Sequence, residues 1–174
     1  MRRVSLNARL AQDAQATTEV YCALFYITHP SLAKPIRIST DNTVQLSVEP
    51  LMYGTRSTWM GTNPAVDPFL WVVASTLLPS DLDDAPAAGN IILENVDNEI
   101  AILLRSFTDL ATIHMAVVLA ASPNLIEAEW RGLNIVSSDI DAGEVMIAFN
   151  REDIGDEYFP GGRMTRERFP GLHK

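Results

Sequence analysis

Few residues of this 174-residue chain have the types and spacings that chemistry needs. Asp81, Asp83 and Asp84 form the run most like a calcium loop, because clustered carboxylate oxygens hold hard cations. The run lacks the glycine and the final bidentate glutamate that an EF-hand places at fixed offsets, so it reads as a solvated acidic loop. His29, His114 and His173 are far apart, and none has a cysteine, histidine or carboxylate at metal-ligand spacing. Each reads as a hydrogen-bonded structural residue. Cys22 lies among apolar neighbours, where a thiol behaves as a small hydrophobe and its pKa is not lowered. Glu127 and Glu129 would point the same way on a strand and could suggest an acid–base pair. Their alternation with Ile126, Ala128 and Trp130 assigns them instead to a solvated face, with Arg131. No G-x-S-x-G, G-x-G-x-x-G or Walker sequence occurs. The residues therefore predict no catalytic, metal or cofactor site, and they argue against an enzyme.

The elements that would position any site are mostly strands. Glu19 to Thr28 alternates Val20, Cys22, Leu24 and Tyr26 with Tyr21, Ala23, Phe25 and Ile27, apolar on both sides and so deeply buried. His29-Pro30 ends it, since proline cannot donate to a ladder. Ile36 and Ile38 mark a short return strand closed by the turn pair Asp41-Asn42. Val44, Leu46 and Val48 alternate with polar neighbours. Phe69, Trp71, Val73 and Ser75 alternate with Leu70, Val72 and Ala74 as one strand, and Asn90–Leu93 begins the next. From Thr112 to Ala120, Ile113, Met115, Val117 and Leu119 oppose His114, Ala116 and Val118, as in a central strand covered on both faces. Gly132 is expected to shift the register as a bulge before Leu133 and Ile135. Val145, Ile147 and Phe149 form the last clear strand.

Two helices are expected. Ser5 to Ala16 reads as a short amphipathic helix capped by Ser5, with Leu6, Leu10 and Ala14 on one face. Ile100, Leu103, Leu104 and Phe107 fall at i, i+3, i+4 and i+7, a helical stripe over about 97–107 that Asn95 or Asp97 can cap. Seven or eight strands and this helix, joined by hairpin-length connections, predict a mainly β fold: an antiparallel β-sandwich or partly closed barrel with one packed α-helix. The domain spans 1–150. Residues 151–174 lose all periodicity and hold two Phe-Pro-Gly triplets, so they read as an extended C-terminal arm with aromatic anchors.

Trp59 and Met60 stand between Gly54, Gly61 and Pro64, outside any periodic element. Such residues either fold back on the core or mark a contact surface. With Tyr158, Phe159, Pro160, Arg163, Phe169, Pro170 and Leu172 of the arm, they are the candidate partner or assembly residues.

Composition bounds the partners. The chain carries 22 acidic against 13 basic residues and a formal net charge of -9, with no run of clustered Lys and Arg in the body of the domain. Counterion release on nucleic acid needs such clusters, so specific nucleic-acid binding by the domain is not expected. No apolar run approaches the ~18 residues of a membrane span, and the arginines near the N-terminus have no apolar run behind them. One cysteine cannot form an internal disulfide, which fits synthesis in a reducing cytoplasm.

Several motifs come in a familiar order: ITHP at Ile27–Pro30, PIRIS at Pro35–Ser39, LPSDLDDAPAAGNIILENVDNEI at Leu78–Ile100, and LLRS at Leu103–Ser106. VLAASPNLIEAE at Val118–Glu129 and FPGGRMTRERFPGL at Phe159–Leu172 follow. Together they make most of the chain resemble a family of tailed-bacteriophage and prophage minor tail proteins, catalogued as a domain of unknown function and distal-tail-like. The chain departs from that pattern by an extra loop around Met52–Asp67, and by Asn98 where relatives often carry a basic residue. The resemblance implies a virion structural protein of the tail tip: a homo-oligomeric ring, hexameric by default, joining tail tube to hub, made in the host cytoplasm. The arm Tyr158–Leu172 would reach a neighbouring subunit or the hub, and an acidic lumen would repel passing DNA. Two alternatives are a receptor- or carbohydrate-binding tail module, with Trp59 and Trp71 as stacking aromatics, and a tail-assembly factor.

Overall fold

The computed structural model describes residues 4–78, 89–94, 111–141 and 144–150, with Arg168 and Gly171 besides. The helix expected over 97–107, the Asp81–Asp84 run, His173 and, those two residues apart, the arm 151–174 lie outside the described residues. The described chain is mainly β with one helix. In order these are α1 (Leu6–Asp13), β1 (Tyr21–Thr28), β2 (Ile36–Ser39), β3 (Val44–Val48), β4 (Leu51–Thr55), and a 3-10 turn at Trp59–Gly61. After these come β5 (Phe69–Trp71), β6 (Val73–Leu77), β7 (Gly89–Glu94), β8 (Thr112–Leu119), β9 (Ser122–Ile140) and β10 (Glu144–Asn150).

All ten strands form one sheet in the order β3-β4-β5-β2-β1-β8-β9-β10-β7-β6. Only Val72 separates β5 from β6, yet β2, β1, β8, β9, β10 and β7 lie between them in the sheet. Laid flat at ~4.8 Å per strand, β5 and β6 would stand roughly 34 Å apart. Neighbouring Cα atoms are only about 3.8 Å apart, so the sheet must curl until its two limbs meet along the strand that carries Val72. The Val72 N–H donates to the Ser39 carbonyl at 3.0 Å at that seam. The result is a partly closed barrel. The single strand expected over Phe69–Ser75 is thus one alternating run that changes partners at Val72: β5 pairs with β4 and β2, and β6 pairs with β7.

The barrel interior is filled by side chains, as expected when about eight strands curl together. Phe25 and Ile27 of β1, Ile113 and Met115 of β8, and Ile147 and Phe149 of β10 are among its buried members. Each such side chain contributes about 1.5–3 kcal/mol of burial. The alternation of β1 and β8 emerges intact: β1 also turns Cys22 and Leu24 outward, and β8 turns Ala116 and Val118 outward, into a second buried cluster. Both faces of these central strands are covered.

Gly132 makes the expected bulge. It adopts φ +66°, and the β8–β9 register shifts between Ile113 and Met115 opposite it. A second shift, between Val117 and Val118, was not foreseen. Ala128 pairs with Val117 and Ile126 with Val118, which leaves Glu127 as the extra residue. That shift overturns the expected phase. Ile126 is exposed, and Glu127 is only 5% exposed rather than on a solvated face.

Buried Glu127 also explains the orientation of α1. Its Oε2 accepts the Ser5 backbone N–H at 2.7 Å, placing a carboxylate at the positive end of the helix dipole. Ser5 caps the helix as expected, its Oγ accepting the Ala8 N–H at 3.2 Å. The helix then docks through the small, fully buried Ala8, while Leu6 is 71% exposed and Leu10 is exposed as well. The expected apolar face of Leu6, Leu10 and Ala14 therefore points to solvent, because the Glu127 contact fixes the helix the other way round.

Candidate interaction surfaces

The second cluster lies where the chain between β4 and β5 folds across the outside of β1 and β8. Ser57 Oγ donates to the Pro123 carbonyl at 2.7 Å, and the Thr58 N–H donates to Asn124 Oδ1 at 2.8 Å. These bonds pin the loop to the start of β9. Of the two readings of Trp59 and Met60, the structure shows the folded-back one. Trp59 is 3% exposed, with its ring 5.8 Å from Phe69 and edge-on to Tyr26 at 6.4 Å. Met60 packs half-buried against the same cluster, at φ 59° and ψ 21°. A left-handed conformation costs a non-glycine residue about 1–2 kcal/mol, so the surrounding contacts impose the turn.

Trp59 is tied to the strand charges. Its Nε1 donates to Glu129 Oε1 at 2.7 Å, and Arg131 Nε donates to the same oxygen at 2.6 Å. Beside them, His114 Nδ1 accepts the Gly132 N–H at 3.2 Å, with its ring 6.2 Å from that of Tyr26. Burial pushes the His114 pKa below its ordinary 6.5; Arg131 lowers it further and Glu129 opposes. This constellation is a clasp: the carboxylate is occupied by an indole and a guanidinium, and the imidazole by a backbone donor. Glu129 keeps the outward phase expected of it, but Glu127 does not accompany it, so the two carboxylates do not form an acid–base pair.

The other candidates have equally local roles. Cys22 is buried, its thiol 3.6 Å from the Val118 carbonyl. Burial, then the nearby Asp41 carboxylate, push its pKa from 9.0 to about 12. Asp41 itself is buried and saturated, accepting from the Thr43 N–H at 3.0 Å, the Thr43 hydroxyl at 2.9 Å and the Thr55 hydroxyl at 3.3 Å. His29 Nδ1 accepts the Ser31 N–H at 3.1 Å. Among the described residues no three His, Cys, Asp or Glu side chains come together to hold a metal ion. Nor is any described helix long and apolar enough to cross a membrane.

What the described surface does present is a pair of open sheet edges. β3 reads VQLSV and β6 reads VASTL: five residues each, without a charge or a proline. Each exposes large apolar side chains, Val48 at 79% and Leu77 at 68% foremost. Strand edges are ordinarily guarded by charge, proline or a bulge. β3 has a bulge at Leu46, whereas β6 pairs with β7 in unbroken register. Sequence alternation showed these residues as strands but had no signal for which strands would end the sheet. Tyr158, Phe159, Pro160, Arg163, Phe169, Pro170 and Leu172 lie outside the described residues. No protein-family model matches the chain, and no curated protein matches it.

Proposed function

We propose that this chain is a structural subunit that assembles with copies of itself, and that its place is the tail tip of a long-tailed bacteriophage, in a distal-tail ring between tube and hub. The observation that carries self-assembly is the pair of edge strands, β3 and β6, both without a charge or a proline and β6 without a bulge as well. They stand at opposite ends of the sheet order, so joining β3 of one copy to β6 of the next is a head-to-tail contact. Such a contact forms a ring when its rotation closes. The assignment to a phage tail rests on the order of motifs from Ile27–Pro30 to Phe159–Leu172, and the arm Tyr158–Leu172 is assigned to a neighbouring subunit or the hub.

Light scattering on the purified full chain tests the assembly. A discrete multiple of the 19.2 kDa chain mass is expected, collapsing to monomer when Ser75 and Leu77 on the β6 edge are replaced by lysine. A monomer at every concentration would move the reading to a module that orders only on a partner. A carbohydrate-binding reading is left with one exposed aromatic of its pair: Trp71 is 37% exposed, and Trp59 belongs to the chain's own core.

A further inference from the structure

The outward face of β6, β7 and β10 combines apolar residues with exposed acids. Register places Glu94 directly opposite Glu144, Ile92 opposite Met146, and Met146 opposite Asp139 of β9. Glu94, Glu144 and Asp139 are all exposed, and among the described residues no ion pair neutralises them. Like charges directly opposite on neighbouring strands repel, so the face carries a strain that a cationic partner relieves. Met146 is itself exposed, and no Lys or Arg occurs in β6, β7 or β10.

The sequence contains a segment of matching chemistry. From Tyr158 to Lys174 there are four basic residues (Arg163, Arg166, Arg168 and Lys174) and one acid, Glu167. That is a net +3 in a chain whose total is -9. Phe159, Met164 and Phe169 supply apolar anchors before, among and after the arginines, and arginine pairs bidentately with carboxylate. Pro160 and Pro170 cannot donate to a ladder, which favours docking by side chains. We infer that this face of one copy binds the Tyr158–Lys174 segment of a second copy, arginines on the Glu94–Glu144 pair and apolar anchors on Ile92 and Met146. The inference rests on the self-assembly reading above. Binding in trans follows from the self-assembly reading, in which the segment reaches a neighbouring copy.

Disulfide trapping between full-length chains tests this. Cys22 is buried with its pKa at about 12, so it does not compete. One chain carries Met146→Cys; the other carries Met164→Cys and a size tag. Mixing the two under mild oxidant should give a mixed disulfide dimer on a non-reducing gel. Glu94→Lys with Glu144→Lys on the first chain should cut its yield about tenfold, and Arg163→Glu with Arg166→Glu on the second should restore it. A bond that forms only within a chain carrying both cysteines means the segment sits on its own face, and overturns the inference. No bond in either arrangement, with light scattering still showing an oligomer, overturns it while the self-assembly reading stands. If the full chain is also monomeric by light scattering, both fall.

Discussion

The Trp59 indole and the Glu129 carboxylate, 70 positions apart, meet at 2.7 Å on the outside of β8 and β9. With the Ser57–Pro123 and Thr58–Asn124 bonds, this contact fastens the β4–β5 loop over the second buried cluster. Trp59→Ala removes both the ring packing and the donor, and should cost about 3–5 kcal/mol. Glu129 is partly exposed, so Glu129→Ala should cost less, about 1 kcal/mol. Urea unfolding of the two variants measures the difference. Equal costs would show that the hydrogen bond, rather than packing, holds the loop.

Glu127 should act as the latch of α1. Glu127→Ala removes the acceptor of the Ser5 N–H, a charged hydrogen bond worth about 1.5–3 kcal/mol. The α1 amides should then exchange at least tenfold faster, with β8 and β10 unchanged. Uniform acceleration over the whole chain would instead make Glu127 a residue of global stability.

Two glycines should respond differently to alanine. A Cβ at Gly54 would collide with the Phe69 carbonyl oxygen, where β4 meets β5, and backbone cannot yield cheaply. At Gly132 nothing lies within 4 Å, and only φ +66° is unfavourable. Gly132→Ala should cost about 1–2 kcal/mol, and Gly54→Ala clearly more. Thermal melts of both variants check the order.

The Cys22 thiol should be inert in the folded chain. Alkylation by iodoacetamide at pH 8 should proceed only after denaturation, because native Cys22 holds its proton up to about pH 12. A folded pKa above the unfolded 9.0 means that the folded state binds more protons between those values. This group's contribution is therefore complete below pH 9 and is lost as pH rises toward 12. A Cys22→Ala comparison across that window isolates the effect. Native-state alkylation at pH 8 would contradict it.

His114 has the opposite dependence. Its folded pKa lies below 6.5, so under mildly acidic conditions the unfolded chain binds the extra proton. Stability should be full above 6.5 and decline as pH falls below it. Protonating Nδ1 would also remove the acceptor for the Gly132 N–H. An NMR titration of the imidazole, with and without Arg131→Ala, should show the pKa rise when the guanidinium is removed.

Much of the local structure was legible in the residues. The two-sided apolar runs of β1 and β8, the inward set Val145, Ile147 and Phe149, the Gly132 bulge and the Ser5 cap are short-range patterns. Period-2 alternation and the special backbone needs of Gly and Ser express them directly. The acidic balance and the lone buried thiol were equally plain in composition. Alternation reports which side chains share a face, but not which strand lies alongside, so only tertiary structure decided the rest. It split Phe69–Leu77 at Val72 between two limbs of the sheet and folded Trp59 into a second core. It set Glu94 opposite Glu144, and through one unforeseen bulge buried Glu127 and turned Leu6 and Leu10 outward. Each of these depends on hydrogen bonds between residues far apart in the chain, and a single inserted residue in such a ladder reverses the phase that a sequence pattern assumes.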